Sequence, residues 1–333
     1  MQLLAPYLLF LGDAHDQLAA KTADGIARWR PSKVVGQLRL PGCQADVGVA
    51  DMDLDQAVAA GARTMVIGVA NRGGVFSPSW QPSLLRALDR GLDLAAGLHE
   101  RLADLPEVAE RARLRGRQLF DLRQPDRSFE VGTGRPRAGR RCLTVGTDCS
   151  VGKMYTALAL ERALQDRQIQ ADFRATGQTG ILIAGSGVSV DAVVADFISG
   201  ATEWLAPANQ PDHWDLIEGQ GSLFHPSFAG VSLGLLHGAQ AEALVMCTEP
   251  HRPHMRGLPG QPLPDLAACI TLNEHCARLT CPAARVVGVA ANTSRLDPVA
   301  AADWLQATGQ QLGLPVVDPL RGGVEPLVAA LLA

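Results

Sequence analysis

No uninterrupted apolar run in the 333 residues approaches the ~20 that a membrane-spanning helix needs, so no membrane partner is expected. A basic surplus is also missing. Lys and Arg number 30 against 34 Asp and Glu, a net charge of -4, which leaves no electrostatic footprint for nucleic acid or acidic lipid. The seven cysteines are scattered and odd in number, which suits a reducing cytoplasm better than a disulfide framework. Low-complexity tracts are absent, and so is the Gly-x-Gly-x-x-Gly fingerprint of a dinucleotide site. The apolar stretch 1–10 lacks a basic region and a cleavage site, so it reads as a first core strand rather than a signal peptide.

What is present is alternation. The length admits two domains of roughly 100–200 residues each. Strands are expected at 6–11, 34–40, 64–70 and 118–122, with helices at 16–29, 54–61, 82–91 and 106–116. Residues 1–130 are thus a Rossmann-like α/β domain. Residues 131–141 (VGTGRPRAGRR), dense in Gly, Pro and Arg with no apolar period, read as a solvated linker. From 142 to 333 strands (142–146, 171–175, 214–218, 243–247, 285–291, 314–317) alternate with helices (153–168, 189–200, 230–238, 265–279, 297–312, 324–332). That pattern calls for a doubly wound, mostly parallel sheet with helices on both faces.

The second domain is organised around Gly146-Thr147-Asp148-Cys149-Ser150-Val151-Gly152-Lys153-Met154-Tyr155, set between an apolar strand and a helix. In that context glycines let backbone N–H groups converge on an anion at the helix N-terminus, and the lysine adds a point charge. The form Gly-Thr-Asp-x-x-Val-Gly-Lys resembles the phosphate-binding loop of dethiobiotin synthetase. Met154 stands where an NTPase places the Ser or Thr hydroxyl that binds Mg²⁺, and a thioether is a poor ligand for a hard cation. Thr156, two residues on, should point away from the loop. The loop suits a phosphate better than Mg²⁺-ATP, and no metal is expected. Cys149 is the thiol placed to react, because a helix N-terminus lowers thiol pKa.

Four further turns follow strands, where open α/β sheets bind ligands. Asn71-Arg72-Gly73 ends the third strand. Arg174, Thr176, Gln178 and Thr179 follow the 171–175 strand, with Arg174 a candidate carboxylate or phosphate clamp. Glu218 and Gln220 follow the 214–218 strand, Glu218 being a candidate base. After the 243–247 strand comes TEPHRPHMRGL, which carries Glu249, His251, Arg252, His254 and Arg256. Its His-x-x-His has no third ligand at metal-site spacing, so acidic-substrate binding or a solvated loop is expected there. Cys269, Cys276 and Cys281 read as core thiols.

The segments PYLLFLGDAHDQLAAK, QLRLPGC, VIGVANRGG, VGTDCSVGKMYTALA, FRATGQTGILI, DHWDLIEGQGSLFHPS and HMRGLP together resemble the bacterial D-glutamate N-acetyltransferases, end to end. The resemblance implies acetyl transfer from acetyl-CoA to the amine of D-glutamate, with coenzyme A as the phosphate-bearing partner and Met154 part of the family pattern. Preference for the D enantiomer comes wholly from it. The residue reading then places the coenzyme phosphates on Gly146 to Tyr155. The glutamate carboxylates go to a choice among Arg72, Arg174 and Arg256, beside Asn71, Gly73, Thr176, Gln178, Thr179 and Gln220. Glu218 is the first candidate base, with His225 and His251 behind it. A homo-oligomeric cytoplasmic enzyme is expected. Alternatives from other classes are an ATP-dependent kinase or ligase for a small carboxylate and a non-catalytic nucleotide sensor.

Overall fold

The apolar runs assemble into two parallel sheets, one in each of two units. The computed structural model describes residues 2–70, 73–125 and 127–333. The first unit comprises the described residues of 1–126 together with Gly177–Ala192, and the second Arg127–Thr176 and Val193–Ala333.

In the first unit, strands β1 (Tyr7–Gly12), β2 (Val34–Arg39), β3 (Thr64–Ile67), β4 (Asp93–Ala96) and β5 (Leu119–Asp121) lie in the order β2-β1-β3-β4-β5. Helices α1 (Lys21–Trp29), α2 (Leu54–Ala59), α3 (Gln81–Asp89) and α4 (Pro106–Arg115) connect them. Strands β1 (YLLFLG) and β3 (TMVI) are buried along their whole length, which is why they read as continuous apolar runs rather than alternating ones. Helix α2 starts at a capping box, with the Asp53 carboxylate accepting from the Gln56 N–H and the Gln56 side chain accepting from that of Asp53. Strand β4 has no counterpart among the expected strands. It is four residues long and opens on an acid, Asp93, which is buried and accepts from the Gln118 N–H at 2.8 Å.

The second unit carries β6 (Arg140–Gly146), α5 (Lys153–Asp166) and β7 (Ala171–Arg174), after which α6 (Gln178–Ala184) packs with the first unit. Then follow α7 (Ile198–Leu205), β8 (Trp214–Ile217), α8 (Ala229–Ala239), β9 (Ala243–Thr248), α9 (Leu266–Arg278), β10 (Arg285–Ala291), α10 (Pro298–Leu312), β11 (Val316–Val317) and α11 (Glu325–Leu332). The strand order is β11-β10-β9-β6-β8-β7. The core beneath joins Leu143, Val145, Ile217, Leu244, Met246 and Val289 to Leu236 of α8 and Cys269 of α9. Each such side chain contributes about 1.5–3 kcal/mol when fully buried.

Three expectations change here. The stretch 177–184 forms helix α6 instead of a glycine-rich turn. Within the first unit its end is fixed by Lys33 Nζ donating to the Ala184 carbonyl (2.7 Å) and the Leu3 N–H to that of Gly185 (2.8 Å). The helix expected over 189–200 is displaced to Ile198–Leu205 behind two short 3₁₀ turns. Val188, Val190, Val193 and Val194 disfavour an early start, and Pro207 restricts the residue before it. The 131–141 segment is exposed over 131–136, as a linker would be, but it is pinned within the second unit instead of hanging free. Glu203 of α7 accepts from the N–H groups of Thr133 (2.9 Å) and Gly134 (2.8 Å). Arg137 donates to the carbonyls of Gly238 (2.8 Å) and Ala239 (3.1 Å) at the end of α8, where a cation suits the helix dipole.

Candidate functional site

Strand β6 lies inside its sheet, flanked by β8 and β9. After β6 the chain runs to the edge strand β7, returns to β8 between them, then crosses to β9, β10 and β11 on the other side. The order therefore reverses at β6 and β9, and a crevice opens beyond their carboxyl ends. The loop 146–152 leaves β6 at that point. Its end is set by Gly152, whose φ of 104° is open to glycine at little cost, and α5 begins at Lys153.

The backbone N–H groups of Ser150, Val151, Gly152, Lys153 and Met154 have no acceptor among the described residues. A run of free donors at the start of a 14-residue helix is an anion cradle. Lys153 is buried at 6% exposure and donates to the carbonyls of Asp148 (2.7 Å) and Gly221 (2.8 Å). An ammonium has three N–H donors, so one is left over. Burial pushes its pKa below the usual value, with Asp148 and Glu218 among the charges that pull it back up. Thr156 donates to the Gly152 carbonyl (3.0 Å), so its hydroxyl is spent on the helix, as expected. Met154 and Tyr155, both half-buried, complete the first turn.

The end of β8 forms one wall. Gly219 lies so close to β6 that a Cβ there would sit 1.6 Å from the Thr144 carbonyl oxygen and 3.0 Å from Cδ of Lys153. Its N–H donates to the Thr144 hydroxyl (3.0 Å). Buried Glu218 accepts from the Thr176 N–H (2.9 Å), while the Thr176 hydroxyl donates to the Glu218 carbonyl (2.6 Å) and accepts from Gln220 (3.1 Å). Glu218, Gln220 and Thr176 are therefore brought together. Gln178 and Thr179 fall instead in α6, and exposed Gly73 likewise belongs to the first unit. Asn71 and Arg72 lie outside the described residues.

The loop after β9 forms the other wall, held by ion pairs. Arg252 donates to the Asp148 carboxylate (2.7 Å), to the carbonyls of Cys149 (2.8 Å) and Ser150 (2.9 Å), and to Glu249. Arg295, beyond β10, also pairs with Glu249. Burial alone would raise the Glu249 pKa, but hydrogen bonds from Arg252 and Arg295 hold it below the usual range. Asp148 is completely buried and takes two further donors, its own loop's Cys149 N–H (2.7 Å) and the Arg256 N–H (2.8 Å). Exposed Arg256 places its guanidinium on the Ser150 hydroxyl. The sequence does not single out Arg252 from its neighbours, because the spacing of TEPHRPHMRGL does not say which cation faces inward.

Several expected roles meet competing contacts. Arg174 is no open clamp: Asp215, with a side chain 1% exposed, holds it at 2.7 Å, and Asp172 at 3.3 Å. His225 is buried with both ring nitrogens engaged. Nε2 donates to the Arg256 carbonyl (3.1 Å), which leaves Nδ1 to accept from the Ser227 N–H (3.2 Å). His251 is exposed with φ of 60°. The Cys149 thiol moves opposite to expectation: burial pushes its pKa up, and the nearby Asp148 adds to this against the pull of Lys153. Two groups of side chains could converge on a cation, Asp148, Cys149 and His225, and Asp172, His213 and Asp215. In the first Asp148 and His225 are already committed as described, and in the second Arg174 supplies the positive charge.

Fold and site together define a two-part α/β protein, a Rossmann-like unit and a P-loop unit whose loop presents free N–H donors at the start of a helix. The chain belongs to the DUF1611 family: residues 130–328 match "Domain of unknown function (DUF1611_C) P-loop domain" and residues 38–125 match its "Rossmann-like domain" (DUF1611_N). A solved structure of a DUF1611 family protein from Anabaena variabilis ATCC 29413 superposes with a TM-score of 0.84 at 31% identity, over 98% of this chain and 99% of that one. Two curated relatives are named D-glutamate N-acetyltransferase. One, from Tritonibacter scottomollicae, is 53% identical over 98% of both chains. The other, from a Pseudoalteromonas species, is 48% identical over 99% of this chain and 100% of its own.

Proposed function

We propose that the protein transfers the acetyl group of acetyl-CoA to the amino group of D-glutamate, as the names of its two near full-length relatives say of them. The observation that carries this reading is their identity of 48–53% along the whole chain, not one motif. The loop's chemistry supports it. Five free N–H groups and a buried lysine suit the phosphates of coenzyme A, and Met154 withholds the hydroxyl that Mg²⁺-dependent phosphoryl transfer needs.

In this reading the residues from Gly146 to Tyr155 hold the coenzyme phosphates. Arg256, with one donor spent on Ser150, takes a glutamate carboxylate in a bidentate fork, helped by Gln220. The amine loses a proton to a base, attacks the thioester carbonyl, and the C–S bond breaks as the amide C–N bond forms, so the coenzyme leaves as its thiol. Glu218, at the strand end beside Lys153, is the base we favour, with His251 behind it. His225, with both nitrogens engaged, positions the Arg256 loop. A homo-oligomeric state and a cytoplasmic location belong to the same reading. No helix among the described residues is long and apolar enough to cross a membrane, and sedimentation that returns a monomer refutes the oligomer.

Incubation with D-glutamate and acetyl-CoA, scored by release of free thiol, tests the proposal. Thiol release that depends on D-glutamate supports it. No release, together with D-glutamate-dependent ADP formation from ATP, establishes the kinase or ligase instead, and tight nucleotide binding without turnover of either donor establishes a sensor.

A further inference from the structure

The cradle needs an explanation of its own. Free N–H groups in a loop bind an anion only if their peptide planes are turned the right way, and that turn has to be held by contacts to the carbonyls of the same planes. We infer that Arg252 is the positioning residue that turns them. This rests on the reading that the loop holds the coenzyme phosphates.

In a planar trans peptide the carbonyl of one residue and the N–H of the next point in opposite directions. Arg252 takes the Cys149 carbonyl at 2.8 Å and the Ser150 carbonyl at 2.9 Å. The next two N–H groups, those of Ser150 and Val151, must therefore point away from it, and neither has an acceptor among the described residues. Ser150 sits at φ of 55°, a conformation that a serine holds only when its surroundings impose it. The guanidinium itself is braced. Its side chain is 11% exposed and pairs with Asp148 and Glu249, whose own side chains are 0% and 6% exposed. One fork thus does two things for the cradle: it holds two carbonyls back from the anion, and it neutralises Asp148, the acid within the loop. Arg252 has no spare charge with which to bind the anion, unlike Lys153, which pairs with no carboxylate among the described residues.

The chemistry needs arginine. A lysine at 252 keeps the positive charge that Asp148 and Glu249 require, yet its compact ammonium cannot serve two carbonyls and two carboxylates at once. Arg252→Lys therefore keeps the fold and loses control of at least one peptide plane, whereas Arg252→Ala leaves buried Asp148 without its cation and is the less informative variant.

The test measures coenzyme A affinity by calorimetry, alongside KM and kcat and a thermal midpoint, in the wild type, Lys153→Ala and Arg252→Lys. The expected result for Arg252→Lys is a Kd for coenzyme A and a KM for acetyl-CoA raised about tenfold, the size of one charge-assisted hydrogen bond. Its kcat at saturating coenzyme and its thermal midpoint stay close to wild type. Ionic strength gives a second reading: Lys153→Ala flattens the salt dependence of coenzyme binding, and Arg252→Lys leaves that slope intact. If Lys153→Ala weakens binding and Arg252→Lys does not, the inference about Arg252 is wrong while the coenzyme reading stands. A fall in kcat that tracks a fall in thermal midpoint in Arg252→Lys makes Arg252 a merely structural residue and also overturns the inference. An unchanged Kd in Lys153→Ala removes the loop from coenzyme binding and takes the inference down with it.

Discussion

Replacing Arg174 by methionine separates two descriptions of the same residue. As a substrate clamp, its loss would raise the KM for D-glutamate and leave stability alone. The structure puts its guanidinium on Asp215 instead, with Nε and one Nη each 2.7 Å from Oδ1 of a carboxylate whose side chain is 1% exposed. The other oxygen, Oδ2, has no hydrogen-bond partner among the described residues. Without Arg174 the imidazole of His213 lies 3.6 Å away, its Nδ1 already facing the Asn209 amide at 2.9 Å, and the guanidinium groups of Arg141 and Arg137 act on Asp215 only through space. Breaking a buried pair from one side costs about 3–5 kcal/mol, because the remaining charge stays buried and uncompensated. For a domain of this size that lowers the thermal midpoint by roughly 10 °C. Arg174 is partly exposed and also touches exposed Asp172, so the lower half of the range is expected. Adding Asp215→Asn to Arg174→Met should recover part of the cost. The assays are thermal unfolding at neutral pH and a D-glutamate saturation curve. A midpoint within about 2 °C of wild type combined with a tenfold rise in KM would refute the reasoning.

Gly219→Ala should cost roughly 3 kcal/mol or more by chemical denaturation and weaken coenzyme binding too, because a Cβ 1.6 Å from the Thr144 carbonyl must push the β8 end off β6 and disturb Lys153; a wild-type midpoint rejects the close approach. Coenzyme affinity should fall with rising pH on the alkaline side, and from below pH 10.5, the usual lysine value, since burial lowers the Lys153 pKa and only the charged form attracts phosphate. Affinity is thus full below that lowered pKa and lost above it, and a binding profile in which Lys153→Ala retains the same alkaline limb contradicts the assignment. Met154→Thr should create Mg²⁺-dependent ATP binding measurable by calorimetry, because it restores an oxygen ligand at the first turn of α5; no gain means that the missing hydroxyl is not what sets the loop apart.

Much of this protein was legible before any fold was known, for a physical reason. Continuous apolar runs such as Thr64–Ile67 and Ala243–Thr248 can be stable only where both faces are covered, so they announce a parallel sheet by themselves. A glycine-rich turn between a strand and a helix announces a helix start with free N–H donors in the same local way. These are properties of a few consecutive residues. Asp93 hid β4, because an acid at the head of four residues looks like a loop until Gln118 is seen to satisfy it.

The assignment of charged side chains could not be settled locally. Arg174, Arg252 and Arg256 all follow strands and all look free in one dimension. Only the packing of β7 against β8 gives Arg174 to Asp215, and only the adjacency of β6 and β9 gives Arg252 to Asp148 and leaves Arg256 at the mouth. The same holds for Cys149, where burial overcomes the helix terminus, and for His225, whose nitrogens are taken by backbone groups. Backbone form follows largely from near neighbours in the chain, so the sequence alone determined where most of the strands and the loop lie. Which cation meets which acid depends on strands distant in the chain, and that was decided by the tertiary structure.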